Sequence, residues 1–229
     1  MMKFIALLPM KENSERIPQK NYRPLVGKPL FYYIADTLKA TGIFENLVIN
    51  TDSTIIAEMA NKRYSDWVII HERPAEIQGD FVSMYNINEY DISIFGDEFH
   101  YLQTHSTNPL LNKSTITLAV NKYKFLIDRT EYDSLFTVNE IKNRLYSQEM
   151  KPINHDPSTL IRSQDMKSVY EENSNLYIFN YKSFYAKNNR LGVKAYPFIM
   201  NSDSFESLDI DYLIDWKLAE IVIREGLLK

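Results

Sequence analysis

Phe4-Ile5-Ala6-Leu7-Leu8-Pro9-Met10 is an almost unbroken apolar run, and Lys11-Glu12-Asn13-Ser14-Glu15-Arg16-Ile17-Pro18-Gln19-Lys20-Asn21 follows it without a gap. A short continuous apolar run reads as a strand covered on both faces. A polar, basic loop at its carboxyl end is where open α/β sheets place their ligands. Beyond it, Leu30, Ile34, Ala35 and Leu38 recur at helical spacing, Leu47 to Ile49 reads as a second strand, and Ser53 caps a helix carrying Ile55, Ile56, Met59 and Ala60. Trp67 to Ile70, Phe99 to Leu102, Leu135 to Val138 and Leu176 to Phe179 read as further strands, with helices over 81–94 and 116–127. The alternation predicts an α/β fold: a three-layer, doubly wound, mostly parallel, Rossmann-like sheet with helices on both faces. Ile210, Leu213, Ile214, Leu218, Ile221 and Val222 predict one apolar face on a closing helix, ended by Arg224 and Gly226.

Composition narrows the chemistry. The 229 residues fit one domain, 1–229, with enough chain to bury a core unaided. There is no cysteine, which removes disulfides, thiolate zinc sites and a cysteine nucleophile. Lys plus Arg is 26 against 30 Asp plus Glu, so no polybasic nucleic-acid stripe is expected. The 6 glycines form neither a dinucleotide fingerprint nor a Walker loop. The first apolar run is too short to cross a membrane and lacks a leader-like cleavage pattern, so a cytoplasmic protein with no membrane partner is expected.

Three polar clusters follow predicted strands. In the first, Lys11, Arg16 and Lys20 are interleaved with Asn13, Ser14 and Asn21, short side chains that let backbone N–H groups and cations approach an oxyanion. A triphosphate is the natural ligand; a solvated basic loop is the plain alternative. The second is Ser207-Leu208-Asp209-Ile210-Asp211. Residues i and i+2 of an extended segment point the same way, so both carboxylates can meet one hard cation; equally, Asp211 can simply cap the closing helix. The third, Gln103-Thr104-His105-Ser106-Thr107-Asn108-Pro109, offers neutral hydrogen-bonding groups suited to a polyhydroxylated ligand, or forms an ordinary turn. The histidines at 71, 100, 105 and 155 have no metal spacing.

In this order the chain resembles the CMP-sugar synthetases, the acylneuraminate cytidylyltransferase family, whose fold is that of the nucleotide-diphospho-sugar transferases. Lys11 to Asn21 resembles its [RK]-x-x-S-x-x-[IL]-P-x-K-N loop, and Asn50-Thr51-Asp52 its S-T-D. Arg73-Pro74-Ala75-Glu76 with Asp80 and Ser83 resembles R-P-x-x-[LI]…D…S. Leu102-Gln103 opens a segment like L-Q-P-T-S-P-L-R, Glu172 to Tyr177 resembles the N-G-A-I-Y strand, and Ser207 to Asp211 resembles S-x-D-I-D. The resemblance implies that CTP and a sugar acid, usually a nonulosonic acid such as sialic acid, give a CMP-sugar and pyrophosphate with Mg²⁺. It implies Lys11 and Lys20 as catalytic cations on the phosphates. Asn13, Ser14, Arg16, Asn21, Arg73, Asp80 and Ser83 would hold the nucleotide, with Arg73 and Ser83 at cytosine. Gln103, Asn173 and Tyr177 would face the sugar, and Asp209 and Asp211 the metal. It also implies a homodimer formed through an arm, for which 139–164 is the candidate; Arg144 and Arg162 would offer it a cation for the substrate carboxylate, or merely pair with surface acids.

Departures cluster on the sugar side. The loop after Gln103 is two residues longer than the family pattern, Ser174 stands for glycine, and Glu171 and Glu172 occupy positions usually neutral or basic. The acceptor therefore stays open between a nonulosonic acid, a ketodeoxyoctonic acid, and an alditol or aminoalkyl phosphate. A non-catalytic sugar- or nucleotide-binding module on the same fold is the other reading.

Overall fold

The computed structural model describes residues 2–129 and 131–227. β1 (Lys3–Leu7) pairs in parallel with β4 (Phe44–Thr51) and β6 (Phe99–Thr104), and β4 pairs in parallel with β5 (Val68–Glu72). β8 (Val169–Asn180) enters antiparallel between β6 and β7 (Ser134–Ile141), and β9 (Ala195–Ile199) joins β7 in parallel. The sheet order is β5-β4-β1-β6-β8-β7-β9. A hairpin of β2 (Pro24–Leu25) and β3 (Lys28–Pro29) stands apart.

The alternation of β1 builds two cores. Phe4, Ala6 and Leu8 face α1 (Leu30–Thr41), α2 (Thr54–Tyr64) and α4 (Lys113–Asp128). Ile5 and Leu7 face the other way, onto α3 (Met84–Phe95) and α5 (Tyr181–Lys187). Period-two side chains on a strand buried on both faces account for the continuous apolar run. The result is the three-layer, mostly parallel α/β sheet that the sequence predicts.

Several elements differ in extent from the sequence reading. α3 starts at Met84, because Ser83 accepts from the Asn86 N–H at 3.3 Å as N-cap and Phe81 stands fully exposed before it. α6 (Leu213–Arg224) buries Trp216, Ala219 and Val222, whereas Leu213, Ile214, Leu218 and Ile221 of the predicted apolar face are exposed. The reason is a narrow partner. α6 packs on a third small core of Ile17, Leu25, Leu30 and Ile210, and only one side of the helix meets it. Between β7 and β8 the chain is mostly irregular, with a bridge between Tyr146 and Pro152 and one short turn of 3₁₀ helix, and it exposes Met150, Ile153 and Leu160. No helix of the described residues is long and apolar enough to cross a membrane.

Candidate active site

The basic loop after β1 and the acidic segment before α6 are far apart in sequence, and the third core brings them together. Ile17 and Ile210 are both fully buried in it. Ile210 lies between Asp209 and Asp211, so burying it fixes the backbone that carries both carboxylates. Lys20 Nζ donates to the Ile210 carbonyl at 2.8 Å and stands 3.6 Å from the Asp211 carboxylate. Arg16 pairs with Asp211 at 2.8 Å and covers the Tyr212 ring at 4.8 Å. Asp211 is free to make these contacts because Asp215 does the capping: its carboxylate accepts from the backbone N–H groups of Asp211 at 3.0 Å and Tyr212 at 2.7 Å.

The basic loop is tied to the sheet from below. Asp52, just past β4, accepts from the Glu12 N–H at 2.7 Å. Asn21 donates to the Lys11 carbonyl at 2.6 Å and accepts from the Ser106 hydroxyl at 2.5 Å. Arg73 is buried and donates to the Asn50 side chain at 2.8 Å, the Asn50 carbonyl at 2.9 Å and the Met10 carbonyl at 3.3 Å. Burial lowers its pKa, against the opposing fields of Asp52 and Asp91.

These groups open onto a cavity of about 370 Å³ lined by Lys11, Ser14, Arg16, Lys20, Asn21, Arg73, Asp80, His105, Ser106, Thr107 and Asp211. Val82, Met84 and Ile87, around the start of α3, form an apolar wall on it. Lys11 and Asp80 form an ion pair, and that contact holds the Asp80 carboxyl below its ordinary range. Burial pushes the Lys20 ammonium down, opposed by Asp211 and Asp209. Burial pushes the Asp209 carboxyl up. Asp209 is not itself among the lining residues, but its Oδ1 is buried without a hydrogen-bond partner, an orphan of the kind a cation would satisfy.

Other expected site residues are placed elsewhere. Asn13 is not among the lining residues, and Ser83 spends its hydroxyl on the α3 cap. Gln103 is fully buried, contacts His105 at 2.9 Å and accepts from Arg190 at 2.8 Å. Asn173 turns into the β7–β8 region, donating to Asn139 at 2.8 Å and contacting the Met200 sulfur at 3.2 Å. Tyr177 lies in the second core, with its ring covered by the Arg190 guanidinium. Arg144 donates to the Ile161 carbonyl at 2.7 Å and Arg162 pairs with Asp165 at 2.7 Å, both within the segment after β7.

Sequence reasoning passed over Arg190 and the apolar wall. Arg190 lies in a polar run after α5 that carries no motif, and Met84 and Ile87 look like ordinary helix residues. His105 was legible only as an isolated histidine. Loss of water around its ring, with Arg190 and Lys20 nearby, pushes its pKa from 6.5 down to about 3.

Comparison with known proteins gives the chain its family. The chain is 27% identical over 225 residues to the N-acylneuraminate cytidylyltransferase of Escherichia coli O18:K1:H7, covering 95% of this chain and 51% of that protein. It therefore spans about half of that relative's length. It is also 27% identical over 236 residues to the pseudaminic acid cytidylyltransferase of Campylobacter jejuni subsp. jejuni serotype O:2, covering 97% of each. Among solved structures, 4-diphosphocytidyl-2C-methyl-D-erythritol synthase from Anaerococcus prevotii shares the fold with a TM-score of 0.69 at 11% identity, over 97% of this chain and 96% of that one. The sequence profile described as cytidylyltransferase matches residues 5–225, and the chain belongs to that nucleotidyltransferase family.

Proposed function

We propose that this chain transfers CMP from CTP to the anomeric hydroxyl of a 2-keto sugar acid of the nonulosonic kind, releasing pyrophosphate, with Mg²⁺ held by Asp209 and Asp211. The observation that carries the reading is the convergence of Lys20 and Arg16 with Asp211 on one cavity. Family membership and the names of the two relatives support the reaction class.

The donor set suits a hard cation. Two carboxylates, one with an unpartnered buried oxygen, match an ion that keeps several waters and completes its shell with phosphate oxygens. Among the described residues no group of three or more His, Asp or Glu side chains gathers for a metal, so a tighter all-protein cage is not on offer. When bound, Mg²⁺ neutralises phosphate charge and polarises the α-phosphoryl group.

The chain's own residues would do the rest by position and charge. Lys11, Arg16 and Lys20 line one side of the cavity and would neutralise the triphosphate as the bond from the anomeric oxygen to the α-phosphorus forms and the bond to pyrophosphate breaks. To do so Lys11 gives up Asp80, and Arg16 gives up Asp211. Asn21 and Ser106 fix the loop that carries Lys20. The wall of Val82, Met84 and Ile87 would offer an apolar surface to a base. His105 stays neutral at physiological pH and is too weak a base to take the hydroxyl proton, which leaves to solvent water as the bond to the α-phosphorus forms; the role of His105 is to line the cavity. A cytoplasmic homodimer, with 139–164 as its arm, belongs to the same proposal.

The test is pyrophosphate release from CTP and Mg²⁺ with N-acetylneuraminic, pseudaminic and ketodeoxyoctonic acids as acceptors. CTP-selective, acceptor-dependent release supports the reading. Tight CTP binding with no release under any acceptor overturns it in favour of a binding module.

A further inference from the structure

Arg190 sits in the loop after α5 and contacts His105, a lining residue of the cavity. Its Nη1 donates to Gln103 Oε1 at 2.8 Å and lies 3.4 Å from His105 Nε2. The guanidinium carbon is 3.5 Å from the centre of the Tyr177 ring. The Nη2 edge comes no closer than 3.9 Å to the Glu172 carboxylate, and Glu172 is already held by the Tyr177 hydroxyl. The Arg190 side chain is 19% exposed, while Glu172 is 42% exposed.

A guanidinium has five N–H donors in a fixed fork. This one is positioned on one edge and over one face, and its other edge is opposed by a carboxylate beyond hydrogen-bond reach. Burial lowers the Arg190 pKa, yet no Arg190 nitrogen is both buried and without a partner, so the Nη2 edge stays open to an incoming group. A planar carboxylate presented bidentately is what such a fork binds best. The location fits as well. A 2-keto sugar acid carries its carboxylate on the anomeric carbon, the same carbon whose hydroxyl must reach the α-phosphate. Its anchor must therefore stand close to the phosphate cavity, and Arg190 contacts His105, which lines that cavity.

We propose that Arg190 is the specificity-determining residue of the acceptor subsite, its guanidinium taking the acceptor's carboxylate in place of the loose contact with Glu172. This rests on the reading that the acceptor is a 2-keto sugar acid. Gln103 and Tyr177 then act beneath the substrate, orienting Arg190. Glu172 competes for the same edge, so its charge weakens acceptor binding.

The experiment uses the full chain with CTP and Mg²⁺, comparing each acceptor acid with its methyl ester. Wild type should prefer the acid by roughly 100-fold in kcat/KM, because a site built for a charged partner rejects the neutral analogue. Arg190→Met should raise the acceptor KM by a similar factor, leave the CTP KM within about threefold, and bring the acid-to-ester ratio near one. Glu172→Gln should lower the acceptor KM severalfold. If Arg190→Met does not fold, Arg190→Lys carries the test, with a ratio reduced roughly tenfold as the fork becomes a point charge. Acid-to-ester discrimination that survives in a folded Arg190 variant overturns the proposal, as does a CTP KM that rises in step with the acceptor KM. If wild type releases no pyrophosphate with any of the acids, the functional reading itself fails, and this inference with it.

Discussion

Lys20 and Ile210 are 190 residues apart in sequence, yet the Lys20 ammonium donates to the Ile210 carbonyl at 2.8 Å. The bond fastens a cation beside the segment that carries Asp209 and Asp211. It also gives Lys20 a neutral partner beside the Asp211 carboxylate, which stands 3.6 Å away.

The charged pair around that contact should govern turnover more than stability. Asp211 is 47% exposed, and its carboxylate meets only partly solvated cations. Asp211→Ala is expected to lower kcat by roughly 10²–10⁴ with a melting temperature close to wild type, since a group acting on developing charge is worth that much. Lys20→Ala should reduce kcat/KM for CTP by a comparable factor. Steady-state kinetics with calorimetry separates these outcomes; a loss of only a few-fold at Asp211 removes it from the metal role.

Ile17→Ala tests whether the third core assembles the site. Ile17 is fully buried against Ile210 and Trp216. Removing it should cost about 2–4 kcal/mol in urea unfolding. The CTP KM should rise in the same variant, although Ile17 is buried away from the ligand. Lost stability with an unchanged CTP KM would show that the loop is held without this contact.

Ser174→Gly should stabilise the protein. Ser174 has φ of 56°, in the left-handed region where an L side chain costs about 1–2 kcal/mol. Glycine relieves that strain but gives back part of the gain through its freer unfolded chain and the lost contact with the Tyr177 hydroxyl. A net gain of about 0.5–1 kcal/mol is expected, read from denaturant midpoints. Ser174→Ala, which keeps the strain, should not stabilise.

His105 predicts an acid dependence of stability. Its folded-state pKa of about 3 lies below the ordinary 6.5, so the unfolded chain takes the proton first. Its contribution is complete above about pH 6.5, declines as pH falls, and levels off near pH 3, with a slope of at most about 1.4 kcal/mol per pH unit. His100, also lowered by burial, acts in the same direction. His105→Gln should therefore flatten the urea midpoint between pH 4 and 6.5 relative to wild type, and parallel curves would refute the assignment.

Much of the fold was legible because its signals are local. The alternating faces of β1, the Ser53 cap on α2 and the apolar spacing of α1 and α4 each lie within a dozen or so residues. The basic loop and the Asp209–Asp211 pair were legible as residue types at set spacing. The extent of α3 was misread because an apolar Phe81 counts toward periodicity whether or not it is buried. The α6 face was misread for the same reason: Ile214 and Ile221 are apolar, but the small core beneath the helix accepts only the side that presents Trp216.

By itself the sequence determined a mostly parallel α/β sheet, a basic loop after its first strand and an acidic pair near its end. Periodicity and residue chemistry are written along the chain, and they need no knowledge of what lies opposite. Only the tertiary structure decided that Ile17 and Ile210 share one core and that Arg190 covers Gln103 and Tyr177. These are contacts between residues distant in the chain. Which apolar groups are buried together sets them, and no spacing along the sequence encodes it.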